Sequence, residues 1–129
     1  MTVLPTSQRA SRWAVISVWV LKGVLALAFL AAAAAKLSSQ PMMVAEFGKI
    51  GFGQGFRYVT GATEVTGSVL LLWPRSAFFG ALILLGVCSG AFLAQTGPLH
   101  GDIIHVVVLG SLLLLAAWLT RPSWLRRAS

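Results

Sequence analysis

The hydrophobic positions of this chain gather into four long apolar runs, at about 13–36, 58–73, 76–94 and 103–119. None of the runs alternates with a period of two, so none reads as a strand of a membrane barrel. Each is near the length of roughly 20 apolar residues that carries a helix across a bilayer. Helices satisfy their backbone polar groups internally, as a span must. The break after the first run, "SSQPMMVAEFGKIGFGQGFRY", holds a shorter element. Ser39 or Gln40 before Pro41 marks a helix start. Met43, Phe47 and Ile50 then share a face opposite Glu46 and Lys49, which predicts a helix over 41–50 lying on the membrane surface. Gly51, Gly53 and Gly55 end it in a loop; they neither follow a strand nor open a helix as a phosphate-binding loop requires.

The short connections at Pro74 and Gly97 make neighbouring helices antiparallel. The predicted fold class is therefore all-α: a polytopic membrane protein built as an antiparallel four-transmembrane-helix bundle, one membrane domain over 1–129. Composition agrees. Charged residues make up 10% of the chain, against about 25% in a soluble domain. The first run carries Arg9, Arg12 and a small-residue end, as a secretory signal does, but about 23 apolar residues exceed the roughly 7–15 of a signal core.

The net charge of +7 does not point to nucleic acid, because the basic residues form no face or aromatic-interleaved patch. They report topology instead. Arg9, Arg12, Arg75, Arg121, Arg126 and Arg127 collect on one side, which places both termini in the cytoplasm, in a bacterial-type inner membrane. Lys36, Lys49 and Arg57 fall on the other side. Lys22 interrupts the first run, so the membrane core starts there, with Trp13–Leu21 near the interface. The tryptophans at 13, 19, 73, 118 and 124 sit at span ends as interfacial anchors. The single cysteine, Cys88, excludes an internal disulfide and a CxxC dithiol; it reads as a small buried thiol.

The second run contains the chemistry. Glu64 shares a helical face with Arg57, Thr60, Gly61, Gly67, Ser68 and Leu71, while Val65, Val69, Leu70 and Leu72 supply the lipid-compatible side. A carboxylate in hydrocarbon needs a partner or its proton. Lys36, His100, Asp102 and His105 lie at the same outer end, so a buried Glu–Lys or Glu–His pair is expected. Arg57 is about 10 Å along the same helix, too far for direct contact. Asp102 is also placed to cap the fourth helix. Two readings of Glu64 stay open: a structural tie between helices, or a proton- or ligand-linked group.

The order of "LKGVLALAFLAAAAAKL", of "PMMVAEFGKIGFGQGFRYVTGATEVTGSVLLLWP" with its Gly-x-x-Glu-x-x-Gly, and of "GAFLAQTGPLHGDIIHVVV" resembles the DoxX/DoxD-like family of small four-helix membrane proteins, over about 22–122. The resemblance implies a subunit of a membrane redox assembly, since the family takes its name from a subunit of a thiosulfate:quinone oxidoreductase. It places Lys36, Glu64 and His100 at the family's recurrent polar positions; Lys22 stands where arginine is expected. Glu64, Lys36, His100 and His105 form the candidate cofactor-binding cluster, with quinone as the candidate ligand. No flavin, haem or metal motif is present, and His100, Asp102 and His105 do not make a metal site. Any oxidoreductase role is thus that of a membrane subunit with a protein partner, not of a stand-alone enzyme. The alternatives are a non-catalytic membrane scaffold, or a small-solute or proton pathway that would require a homo-oligomer.

Overall fold

A computed structural model describes residues 6–97, 99, 101 and 103–123, with side chains from 12 onward. The chain is all-α among these residues: α1 (Thr6–Leu37), α2 (Pro41–Ile50), α3 (Gln54–Leu72), α4 (Ala77–Thr96) and α5 (Ile104–Leu119). Alanine and leucine, the strongest apolar helix formers, dominate α1. Its end is a Schellman turn: Gln40 N–H donates to Ala35 O and Ser39 N–H to Lys36 O. Ser39 takes the left-handed position (φ 61°) that usually goes to glycine, which is why the sequence gives no warning of this turn.

Gln40 is the N-cap of α2, Pro41 fills its first turn, and Gly51 (φ 88°) closes it. Phe47 is the buried residue of α2, on the face read from the sequence. The next helix starts at Gln54, four residues earlier than its apolar run, because polar contacts substitute for hydrophobic ones there. Gln54 Nε2 donates to Val44 O at 3.0 Å, tying α3 to α2. Phe56 stacks edgewise on Phe52 and tilts against Phe47. Gly53 has φ 88° and ψ 165°, a region open to glycine alone. Gly53→Ala is expected to lose about 1–3 kcal/mol, whereas Gly55→Ala, where a Cβ meets open space, should be near neutral in the same thermal melt.

α1 packs on α3, α3 on α4, α4 on α5, and α5 returns to α1. The core between them holds Leu25, Phe29, Leu71, Leu84, Cys88 and Leu113 among others, so Cys88 is the small buried thiol expected. Against the usual pattern of a water-soluble bundle, the outside is also apolar: Leu27, Leu93 and Ile104 are 71, 69 and 70% exposed. A continuous apolar exterior needs an apolar solvent. Two helices are long and apolar enough to cross a membrane, at Arg12–Leu37 and Ala77–Thr96, and Ile104–Leu119 is a shorter apolar helix. α3 is 19 residues long but carries the polar face.

Candidate functional site

The polar face of α3 is where the helices meet. Arg57, Gly61, Glu64, Gly67, Ser68 and Leu71 are its buried residues; apart from the adjacent Gly67 and Ser68, neighbours in this set are three or four positions apart, and so on one side of the helix. Gly61 lets α1 come close: a Cβ there would stand 3.0 Å from the Leu37 side chain and 3.4 Å from Lys36 Cβ. That approach brings Lys36 Nζ, in the last turn of α1, to 2.5 Å from Glu64 Oε1. Glu64 is 1% exposed and the Lys36 side chain 14%. Of the two pairings expected, the structure forms the Glu–Lys pair.

Arg57 holds the other end of the same lysine residue. Its Nη1 donates to the Lys36 carbonyl, and its Nε donates to Gln54 Oε1 at 2.9 Å. Its guanidinium also lies 4.3 Å from the Tyr58 ring centroid. The last carbonyls of a helix lack intrahelical donors and carry the negative end of its dipole, so a buried cation at this point caps α1. Sequence reasoning placed Arg57 on the right face but treated it as an outer-loop charge. The available signal was its spacing, seven residues from Glu64. Arg57→Lys keeps the charge and loses the planar donor set. We expect it to destabilise the fold by about 2 kcal/mol, read from a thermal melt, with Arg57→Ala at least as severe.

One turn below the pair, Ser68 is wholly buried. Thr60, Thr63, Thr66, Ser89 and Thr96 each donate to the carbonyl four residues back. Ser68 does not: its hydroxyl, like Glu64 Oε2, has no hydrogen-bond partner among the described residues. The site is thus a close charge pair with two unsatisfied oxygens beside it. Proton exchange and hydrogen bonding to a small polar group are the chemistry such a set supports.

The histidines do not join the pair among the described residues. His105 is exposed on the first turn of α5 and forms no ion pair with Glu64. His100 and Asp102, the proposed cap, lie outside the described residues; the residue preceding α5 is Ile103. No three His, Cys, Asp or Glu side chains come together as a metal site among the described residues. A groove of about 360 Å³ opens between α4 and α5, lined by Leu85, Cys88, Phe92, Val106 and Leu114 with their neighbours. No residue of α1 or α3 lines it, so it does not reach Lys36 and Glu64.

These features define a helical-bundle membrane protein in which the ammonium of Lys36 meets the buried carboxylate of Glu64 between two helices. The chain belongs to the DoxX-like family, whose model matches residues 20–120. No curated protein and no solved structure matches it. The matched segment contains α2, α3, α4 and α5 entire, together with the part of α1 that packs in the bundle.

Proposed function

We propose that the chain is a multi-pass subunit of a quinone-linked redox assembly in a bacterial-type cytoplasmic membrane. In this reading α1, α3, α4 and α5 cross the bilayer, α2 lies on the outer surface and both termini face the cytoplasm. The short antiparallel connections, the apolar exterior and the excess of arginine at one end support the topology. The redox setting is what the resemblance to the DoxX/DoxD-like family implies; the family match itself supports membership alone. The observation that carries a role for the site is the Lys36–Glu64 pair, enclosed in the bundle with Glu64 Oε2 and Ser68 Oγ unsatisfied among the described residues. Such a carboxyl can hold a proton next to a ligand that gains protons on reduction, as a quinone does.

A second reading is favoured by a separate fact. Glu64 is 1% exposed and the α4–α5 groove does not reach it, which suits a structural tie in a scaffold subunit. Mass spectrometry of the protein gently solubilised from its native membrane separates the two. The redox reading expects a redox polypeptide and stoichiometric quinone to co-purify. A partner without quinone supports the scaffold, and a homo-oligomer alone overturns both in favour of a solute or proton pathway.

A further inference from the structure

The end of the bundle opposite the Lys36–Glu64 pair gathers cations with no acid to match them among the described residues. Lys22 lies about 21 Å along α1 from Lys36 at the usual helical rise. α3 runs antiparallel to α1 with Gly61 set against Lys36 and Leu37. Its last turn and Arg75 just beyond therefore come down to the level of Lys22. α5 ends at the same level with Arg121, two residues after Leu119. Glu46 and Glu64, the acids among the described residues, are both on the far half of the bundle.

Lys22 is the sharpest anomaly there. It is 3% exposed, and it is where packing begins, since Arg12 to Ser17, Trp19 and Val20 before it are all exposed. No acid pairs with it among the described residues; its ammonium lies 3.7 Å over the Trp19 ring centroid. The Arg121 guanidinium lies 4.4 Å over Trp118 in the same manner, and Trp73 stands two residues before Arg75. An aromatic face attracts a cation but does not neutralise it, and a buried charge without a counter-charge is costly. A counter-charge supplied from outside the described residues would relieve that cost.

We infer that Lys22, with Arg75 and Arg121, binds the phosphodiester headgroup of an anionic phospholipid in the leaflet at this end of the bundle. The inference rests on the four-span topology proposed above. Charge complementarity selects an anion, and the setting selects a lipid. Three tryptophans, the side chains that mark the headgroup level, flank the three cations. Basic clusters at that depth attract anionic lipid by about 1 kcal/mol per residue.

The test uses the purified full chain in neutral detergent, titrated with phosphatidylglycerol or phosphatidylcholine. Thermal unfolding and the number of lipids retained in native mass spectrometry are recorded. The expected result is one retained phosphatidylglycerol, with roughly tenfold preference over phosphatidylcholine. Lys22→Gln should reduce the preference to about twofold, and Lys22→Arg should keep it. If Lys22→Gln does not fold, Arg121→Gln must show a partial loss. Equal binding of the two lipids by the wild-type chain would overturn the inference. So would equal protection by inorganic phosphate, or protection arising only from a co-purified protein that covers Lys22. A Ser123→Cys label in a Cys88→Ala background, probed from each side of sealed vesicles, tests the topology separately. A label on the outer side sinks the topology alone, while lost lipid preference with an inner label sinks this site alone.

Discussion

Gly80→Ala should be among the most damaging single-methyl changes in this protein. A Cβ at Gly80 would stand 2.4 Å from Leu71 N, 2.6 Å from Gly67 O and 2.8 Å from Leu70 C. All three are backbone atoms of α3, so no side chain can turn aside, and α4 must move away from α3. Overpacking usually costs about 1–3 kcal/mol; without a rotamer to absorb the strain, we expect about 3 kcal/mol or more. Gly67→Ala meets the Leu84 side chain at 2.9 Å, which can shift, and should cost less. Gly86→Ala meets nothing within 4 Å and should be neutral or slightly stabilising through helix propensity. Melting of the three variants in one detergent checks the order. Similar losses at Gly80 and Gly86 would mean that the α3–α4 contact is not as close as described.

The second large effect is expected from breaking the ion pair on one side. Lys36→Met leaves a carboxylate buried at 1% exposure without its counter-charge, a change that costs about 3–5 kcal/mol. Glu64→Gln retains shape and hydrogen-bonding capacity and leaves a lysine that is less deeply buried; about 1–3 kcal/mol is expected. Replacing both, as Lys36→Met with Glu64→Leu, should recover much of the loss, because an apolar pair of similar volume needs no solvation. Unfolding in mixed micelles measures all three. Under the redox reading the double variant folds and loses quinone; under the scaffold reading it folds and keeps its partner.

The face of α3 was legible because periodicity fixes it: a helix carrying Gly61, Glu64, Ser68 and Leu71 at these spacings can bury only one side. The same logic put Phe47 inward on α2. It could not find the Schellman turn at Ser39, since that position normally advertises itself with glycine. Nor could it find the early start of α3, which depends on a side-chain bond from Gln54 to Val44 O across ten residues. Lys36 was legible as a partner for Glu64 because both fall at one end of the bundle, whereas the role of Arg57 needed the α1 carbonyl in three dimensions. The burial of Lys22 was hidden for the opposite reason. A lysine in an apolar run reads as a side chain reaching for water, and only the structure shows it 3% exposed.

The account turns on Lys36 and Glu64 being one interacting pair inside the bundle. A double-mutant cycle with Lys36→Met, Glu64→Gln and both together, read as unfolding free energy in a single detergent, tests this most directly. A coupling of about 2 kcal/mol or more, with the double variant more stable than the sum of the singles implies, is the predicted result. Additivity within about 0.5 kcal/mol would contradict it and leave Glu64 without the partner on which the rest of the site depends.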